Sequence, residues 1–465
     1  MIPFAQYVQG LASNDELLTL EGPFDVPPPV IAAEALRASG PAIRYGRTDG
    51  ADLTSGAFSG PDQLQRRESA PWSRLALGLG LDPEASFVAV LETITRLGPA
   101  GDRPEPTYDR RAAARTIDGI RQLALPRDAD DVWPALTLGV ASVSTAAGTH
   151  WAPVHGAVIG DDTLRVRTPA ALSSLLDGGT VSVALGVPPA AVTAAYLLAV
   201  RDRLEVPIQD CGVAERVSLV PTNGGLVPSA TEVVIEAAVD DRHPDSRSDR
   251  REAWEYGTES TSMALSVERI LATEDPVLPF SPLERPLSDD LQLTGLVTAA
   301  TLYDRIDDYW GISPVEWVLV PAAAELGICV VATNVLYAGF EWQLANILFA
   351  FSSLFDTVIV VDDDVSPRDL GRVLGDIWVK AHPSRDWIFS EPSAPMADRP
   401  RYRRDGETGS RLYVNAAWDP RWDDAYIAPR VAFDRSFPAS VRDDARRLWD
   451  TRHDGAADDE NRDGA

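Results

Sequence analysis

The segment from Leu226 to Val239, LVPSATEVVIEAAV, places two carboxylates within an apolar stretch that has the composition of a buried strand. Residues four apart in an extended chain point to the same side, so Glu232 and Glu236 would share one face of this strand. A charge that is buried without a cation, a metal or several hydrogen-bond donors is costly. The segment therefore requires a ligand, a buried arginine, or an edge strand whose polar face is open to water.

Short strand-like runs dominate the middle of the chain, from about residue 120 to residue 277. Gly and Asp turns separate these runs, which read LTLGVASVS, PVHGAVIG, TLRVR, TVSVALGV, RVSLV, EVVIEAAV and MALSVERIL. Two helical patterns interrupt them, PAALSSLLDG and PPAAVTAAYLLAVRDRL. Several short strands that are separated by turns predict a barrel or a sandwich-like domain.

The two ends of the chain mix strand and helix patterns. In the last third, WVLVPA, GICVVATNV and DTVIVVDDDV have the composition of buried parallel strands, and helical spacing separates them. A chain of 465 residues exceeds what one core usually organises. We predict an α/β fold with an N-terminal α/β domain (1–115), a central barrel domain (116–285), a C-terminal α/β domain (286–445) and a disordered acidic tail (446–465).

The net charge of −28 argues against nucleic acid or an anionic membrane as a partner, because both bind basic surfaces. Cys211 and Cys329 are isolated, so the sequence indicates neither a disulfide framework nor a zinc site. The N-terminus has no basic, apolar secretion signal. The longest apolar region, 330–355, carries several polar residues that a membrane-spanning helix rarely contains. We expect a cytoplasmic protein.

Six motifs, taken in this order, resemble the UbiD family of carboxy-lyases. They are GPAIRYGRTDG with LALGLGLD, GGTVSVALGVPPAAVTAA, VPSATEVVIEAAV, SVERILATEDPVL, DTVIVVDDDVSPRDLGRVLGDIWVKAHPSRD and GSRLYVNAAWDP. Members of this family use a prenylated flavin mononucleotide (prenylated FMN) to add or remove CO2 on aromatic and α,β-unsaturated acids. The resemblance implies a UbiD-like three-part architecture: an N-terminal α/β domain, a central split β-barrel, and a C-terminal α/β domain that forms a homodimer or a higher homo-oligomer.

The resemblance also implies a function and its cofactors. The expected reaction is a reversible, non-oxidative decarboxylation of a small aromatic or α,β-unsaturated carboxylic acid, with a flavin prenyltransferase as supplier of the cofactor. Glu232 lies at the family's position for a ligand of the divalent metal (Mn or Mg) on the flavin phosphate, and Pro228 belongs to the same cofactor-binding motif. Arg165 or Arg167 would replace the family's arginine, which contacts the flavin and the substrate carboxylate.

The expected proton donor lies in a charged loop, REAWEYGTESTS, where the family carries Glu-Gly-Pro-Phe-Gly-Glu. The candidates are Glu252, Glu255 and Glu259. The chain lacks the family's metal-binding Asn and His. The alternative is therefore a UbiD-fold protein that has lost the flavin, either an enzyme of another reaction class in secondary metabolism or a non-catalytic partner of a complete decarboxylase.

Other polar residues have simpler interpretations. Asp362, Asp363 and Asp364 follow an apolar strand, where ligand groups often lie, but helix capping is the preferred interpretation. His150, His155 and His382 have no metal-ligand spacing, so we predict that each is structural or exposed.

Overall fold

The computed structural model divides the chain into two compact units, residues 1–417 and residues 418–465. It describes residues 2–38, 40–47, 50–60, 70–101, 104–109, 114–126, 135–176, 179–244, 260–281, 289–310, 314–334, 337, 339–389, 394–395, 408–418 and 436–460. Within these ranges, no helix is both long and apolar enough to cross a lipid bilayer. Three of the predicted acids, Glu252, Glu255 and Glu259, lie outside the described residues.

The helices and strands of the larger unit follow one another in a mixed order. The helices are α1 (Phe4–Ser13), α2 (Pro28–Arg37), α3 (Ser73–Gly78), α4 (Phe87–Thr95), α5 (Ala170–Leu175), α6 (Pro189–Val200), α7 (Val213–Arg216), α8 (Asp289–Trp310), α9 (Phe340–Phe351) and α10 (Leu370–Lys380). The first ten strands are β1 (Leu17–Glu21), β2 (Ala42–Gly46), β3 (Asp52–Ser55), β4 (Arg115–Ile117), β5 (Ala135–Thr145), β6 (Gly148–Val158), β7 (Thr163–Pro169), β8 (Thr180–Leu185), β9 (Leu219–Pro221) and β10 (Leu226–Pro228). The other ten are β11 (Val233–Pro244), β12 (Ser260–Ala272), β13 (Val277–Pro279), β14 (Val315–Leu319), β15 (Ile328–Thr333), β16 (Thr357–Asp362), β17 (Trp387–Phe389), β18 (Ala394–Pro395), β19 (Thr408–Gly409) and β20 (Leu412–Ala416).

Six strands of the middle region close into a barrel. Their order is β11-β8-β5-β6-β7-β12, and β12 pairs back with β11. Apolar side chains such as Val154, Leu164 and Val166 are buried on the inner face, with at most 1% of their surface exposed. The prediction of a central barrel is confirmed. Because β11 pairs with a neighbour on each side, the interpretation of the Leu226–Val239 segment as an edge strand is wrong.

The sheet at the start of the chain is completed by a strand from much later in the sequence. Its order is β1-β2-β3-β13, and β13 pairs with β3 in parallel. Strand β13 lies inside the range that we predict for the barrel domain. The chain thus leaves the barrel and adds a strand to the first sheet before it enters α8. The N-terminal sheet is therefore complete only when the chain that follows the barrel is present.

Helix α6 follows the barrel strand β8 and packs against β5, β6 and α8. Pro189 is at its first turn, where the missing amide hydrogen costs nothing. Nearly every residue of α6 is buried, because the sequence PAAVTAAYLLAV is apolar on all sides. A helix of this kind is buried on all its faces. The helical patterns predicted around α5 and α6 are confirmed.

The C-terminal sheet of the larger unit has the strand order β14-β15-β16-β20-β17. Strands β15, β16 and β20 are parallel, as predicted for the first two. The prediction of a parallel strand for WVLVPA is wrong, because β14 is antiparallel to β15. The connection between them, from Val320 to Gly327, is too short for the crossover that a parallel pair requires.

The smaller unit contains one long helix, α11 (Ala439–Glu460). It covers most of the segment for which the sequence predicts a disordered tail. Ion pairs between neighbouring turns, Arg446 with Asp443 and Arg447 with Asp444, support the helix. Pairs of this spacing stabilise helices modestly.

Candidate active site

Two arginines and one histidine lie side by side on the outer face of the barrel. In the antiparallel pair β6–β7, His155 lies opposite Arg167, and Ala157 lies opposite Arg165. Opposite residues of such a pair project from the same face of the sheet. The alternate residues of both strands fill the barrel interior. Arg165 is exposed, while His155 and Arg167 keep part of their surface accessible. This face therefore carries three nitrogen-bearing side chains, of which Arg165 is the exposed one.

Helix α6 contributes a tyrosine to this face. The hydroxyl of Tyr196 lies 3.1 Å from Nε2 of His155. Burial raises the pKa of Tyr196 well above its usual value, and the negative charges of Asp290 and Asp289 act in the same direction. The phenol therefore stays protonated and can hold the imidazole ring in one orientation.

The N-terminus of α8 contributes two buried aspartates, which have different environments. Asp290 accepts a hydrogen bond from the hydroxyl of Ser281 at 2.6 Å, and its charge acts on His155 and Tyr196. Asp289 accepts bonds from the backbone amides of Gly56, Phe58 and Ser59 and from the Ser59 hydroxyl, at 2.6–2.9 Å. Asp290 is therefore the carboxylate that belongs to the cluster, and Asp289 anchors a loop.

The environment of His155 favours the neutral imidazole. Burial lowers the pKa of His155 below its usual value, the Asp290 carboxylate raises it, and the Arg167 guanidinium lowers it again. The ring is surrounded closely enough to be desolvated, yet part of its surface is accessible. His155 is therefore a desolvated but partly exposed titratable group, which is a reason to consider it for a functional site.

The structure brings together only some of the residues that the sequence predicts. Arg165 and Arg167 lie in the cluster, but Glu232 and Pro228 do not. His155, which the sequence analysis treats as structural or exposed, lies between the others. The hairpin pattern could have found it, because pairing PVHGAVIG with TLRVR across the Asp161–Asp162 turn places His155 opposite Arg167.

Both glutamates of the Leu226–Val239 segment have partners within the chain. Glu236 binds Arg269 through two guanidinium nitrogens, at 2.7 and 2.6 Å, and accepts the amide hydrogen of Asn223 at 3.0 Å. Glu232 accepts a bond from the Thr273 hydroxyl at 2.7 Å. Glu236 thus pairs with an arginine, but the prediction of a buried arginine is wrong, because the Arg269 side chain is 49% exposed.

Other predicted residues have structural contacts. The carbonyl of Pro228, at the end of β10, accepts bonds from the amide and hydroxyl of Thr231. Asp362 pairs with Lys380 at 2.5 Å, and the residue that caps α10 is Asp369. The preferred interpretation of Asp362 as a helix cap is therefore wrong. The Asp362 carboxylate is bound by Lys380, and the capping residue, Asp369, directly precedes α10.

Comparison with known proteins finds a matching family domain and a curated relative. Residues 292–416 match the model of the 3-octaprenyl-4-hydroxybenzoate carboxy-lyase C-terminal domain. Phenolic acid decarboxylase of Bacillus subtilis is 26% identical over 216 residues, which cover 45% of this chain and 45% of the relative. This match thus spans less than half of the curated relative.

Two solved structures share the fold along almost the whole chain. Vanillic acid decarboxylase of Sedimentibacter hydroxybenzoicus, in its open form, has a TM-score of 0.75 at 17% identity and covers 98% of this chain and 99% of its own. The UbiD-class enzyme HmfF of Pelotomaculum thermopropionicum, in an evolved dimeric form with prenylated FMN, has a TM-score of 0.65 at 15% identity, with 95% and 100% covered. The chain has the UbiD fold, and its residues 292–416 match the UbiD C-terminal domain. The predicted UbiD-like fold is confirmed.

Prenylated FMN is a cofactor of UbiD-class enzymes, as the HmfF complex shows. The residues described in this chain do not fit a metal that would anchor a flavin phosphate at Glu232. Besides Thr273, the backbone amides of Ala5 and Val277 donate to this carboxylate, and burial raises its pKa against the effect of these three donors. Within the described ranges, no three His, Cys, Asp or Glu side chains are grouped so that they could hold a metal. Glu232 instead joins α1 to the barrel.

Proposed function

We propose that this UbiD-fold protein is a carboxy-lyase that removes CO2 from a small aromatic or α,β-unsaturated carboxylic acid without oxidation. The observation that carries the proposal is the alignment of Arg165, Arg167 and His155 on one accessible face, with Asp290 and Tyr196 behind them. The chain has a net charge of −28, so a face with two arginines is a local positive region that attracts an anion. Two relatives are named for the decarboxylation of phenolic acids, which supports this substrate class.

The two arginines would bind the substrate carboxylate. A guanidinium forms paired, charge-assisted hydrogen bonds with a carboxylate and stays charged at every working pH. Arg167 lies deeper than Arg165, so Arg167 would hold the carboxylate next to His155. The exposed Arg165 would guide the acid toward Arg167. A loop acid, Glu252, Glu255 or Glu259, remains a candidate proton donor from the sequence.

Replacement of Arg167 by Gln tests the proposal. We expect kcat/KM for decarboxylation to fall about 30-fold or more, because losing a charge partner of a bound carboxylate costs about 2–5 kcal/mol. The change in kcat/KM is measured from the rate of CO2 release with a panel of phenolic, cinnamic-type and other unsaturated acids. The protein should come from cells that coexpress a flavin prenyltransferase, and its visible spectrum and bound-ligand mass should be recorded.

The matched control is Arg96→Gln, which changes an exposed arginine of α4 that pairs with Glu92. This variant should keep the wild-type kcat/KM. If the wild-type protein releases CO2 from none of these acids, with or without the coexpressed prenyltransferase, the proposed function is wrong. If Arg167→Gln matches the wild type, the function stands but the carboxylate binds elsewhere.

The second candidate is a UbiD-fold protein that has lost the flavin, and the contacts of Glu232 favour it. It would be an enzyme of another reaction class or a non-catalytic partner of a complete decarboxylase. The two candidates differ in one simple measurement. A colourless protein that is inactive alone, but raises the activity of a complete decarboxylase when mixed with it, would support the partner role.

Removal of divalent metal is expected to leave this protein unchanged. Because three donors of the chain already bind Glu232, EDTA treatment should alter neither the melting temperature nor the decarboxylation rate. The variant Glu232→Ala should lower the free energy of unfolding by about 1–3 kcal/mol, since it leaves buried donors unpaired. A melting temperature that EDTA lowers in the wild type, but not in Glu232→Gln, would instead identify Glu232 as a metal ligand.

An uncharged groove between α8 and α9 is a candidate surface for a second copy of the chain. It has a volume of about 570 Å³, and its lining, which lies within the described residues, contains no charged side chain: Tyr309, Gly339, Trp342, Gln343, Asn346, Ile347, Ala350 and Phe351. Trp342 and the adjacent Tyr337 are 42% and 50% exposed. A two-fold interface needs a surface that complements itself, and a groove beside protruding aromatic rings meets that condition.

Replacement of Trp342 by Glu is expected to convert a homodimer into a monomer. Two copies with a net charge of −28 repel each other, so a buried carboxylate in their uncharged contact should prevent association. Sedimentation velocity over a range of concentrations measures the change. The control is Trp378→Glu, because Trp378 is 75% exposed on α10, outside the groove. A Trp342→Glu protein that remains dimeric would exclude this surface.

A further inference from the structure

The two ring nitrogens of His155 have different surroundings. Nε2 lies 3.1 Å from the hydroxyl of Tyr196. No hydrogen bond from the described part of the chain reaches Nδ1. His155 as a whole is partly exposed, so Nδ1 is the ring nitrogen that these residues leave for a ligand. Tyr196 thus fixes the ring while one nitrogen remains available.

Charged groups of two elements, with a phenol from a third, act on this ring. Strand β7 contributes Arg167, with Arg165 two residues away on the same face. Helix α8 contributes Asp290, whose neighbour Asp289 acts on Tyr196. A carboxylate near an imidazole stabilises its protonated form, whereas a guanidinium stabilises its neutral form. Opposing charges of this kind allow one group both to hold and to release a proton.

We propose that His155 is the proton donor of this site, with Nδ1 as the donating atom and Tyr196 as a positioning residue. This inference rests on the proposed decarboxylase function and names the group that completes it. The substrate carboxylate binds at Arg167, so the carbon that bears it lies beside His155. The donor therefore belongs to the rigid barrel and α6, and no glutamate of the 252–259 segment is needed for proton transfer.

The step balances without an oxidant or a reductant. The bond between the substrate carbon and its carboxylate breaks, and CO2 leaves without the bonding electrons. The bonding pair stays on that carbon, where it forms the new C–H bond with the proton of the imidazolium. His155 becomes neutral and regains a proton from solvent, while Asp290 stabilises the imidazolium before transfer.

Replacement of His155 by Gln tests the inference, with Glu252→Gln, Glu255→Gln and Glu259→Gln as the competing variants. We expect His155→Gln to lose about 100-fold or more in kcat, the usual contribution of a general acid, and each glutamate variant to keep the wild-type rate. In the wild type, kcat should rise as pH falls toward the lowered pKa of His155, because the imidazolium is the reactive form. This pH dependence should disappear in His155→Gln.

Two further measurements distinguish catalysis from folding. The chain has 5 histidines, so the Cε1 resonances of labelled protein can be assigned by single replacements, and the resonance lost in His155→Gln should titrate below pH 6.5. Tyr196→Phe should shift this titration and the pH profile together. The exposed-surface control is His382→Gln, which should change neither.

The outcomes separate the inference from the function on which it rests. A wild-type protein that decarboxylates no acid overturns both. A wild-type protein that is active, with a His155→Gln variant of similar kcat and an unchanged pH profile, overturns this inference alone. Loss of activity in one glutamate variant, with His155→Gln unaffected, would transfer the role to the 252–259 segment.

Discussion

Replacement of Asp289 by Ala should lower the free energy of unfolding by about 3–5 kcal/mol, the usual cost of breaking a buried charge network. The Asp289 side chain is completely buried at the start of α8. Its two oxygens accept four hydrogen bonds from the segment Gly56–Ser59, three of them from backbone amides. The Ala variant leaves all four donors without their acceptor. Urea unfolding followed by circular dichroism measures the difference.

The same segment is held from its other side by Arg74. This guanidinium donates to the carbonyls of Gly56 and Ser59, to the carbonyl of Gly40, and to Glu16. The Asp289 carboxylate thus binds amides of this segment and the Arg74 guanidinium binds its carbonyls, so the segment lies between two opposite buried charges. Burial raises the pKa of Asp289, while the amides and Arg74 oppose this shift. When the carboxylate is removed, Arg74 keeps its pair with Glu16, so the loss falls on the donors of the Gly56–Ser59 segment.

The control is Asp308→Ala, which makes the same change at an exposed position of the same helix. It should change the free energy of unfolding by no more than about 0.5 kcal/mol, as is usual for surface positions. The variant Asp289→Asn should fold with a stability between those of the wild type and Asp289→Ala. Its amide oxygen still accepts hydrogen bonds, while its NH2 group faces other donors. Equal stability of the Ala variants at 289 and 308 would show that the Gly56–Ser59 segment is held by its other contacts.

The sequence predicts the strands of the site better than it predicts their partners. The runs PVHGAVIG and TLRVR are recognisable as strands, and the turn between them determines which residues face each other. Arg165 and Arg167 were identified by the family resemblance, and the structure places them together. His155 was not identified, because the sequence around a single histidine without ligand spacing does not predict a functional role. Its environment is determined by Tyr196 and Asp290, which belong to α6 and α8 and approach it only in the folded chain.

The two glutamates of the Leu226–Val239 segment illustrate the same limit. Their burial and their need for partners follow from the sequence. Which partners they find does not, since Glu232 binds groups at Ala5, Thr273 and Val277, far away along the chain. A carboxylate in a motif thus has the same local sequence whether it binds a metal or three hydrogen-bond donors. Only the packing of α1 against the barrel distinguishes the two cases.

Replacement of Lys380 by Met is expected to lower the free energy of unfolding by about 3–5 kcal/mol, because the buried Asp376 and the partly exposed Asp362 lose their shared ammonium. Lys380 is the one lysine of the sequence. Its side chain is 1% exposed, and its Nζ lies 2.5 Å from both Asp362 and Asp376. These carboxylates come from the end of β16 and from α10, so the ammonium ties the helix to the sheet. Urea unfolding of the Met and Arg variants measures the loss.

A single lysine also provides a specific probe of this contact, because the protease Lys-C can cut the chain only after residue 380. In the native protein the cut requires α10 to open, so its rate reports the population of the open form. Asp376→Asn keeps the lysine but removes one carboxylate. A loss of about 3 kcal/mol would raise the cleavage rate about 100-fold. Lys380→Arg should resist the protease, which confirms the site of the cut. If wild type and Asp376→Asn are cut at equal rates, the ion pairs do not hold α10 to the sheet.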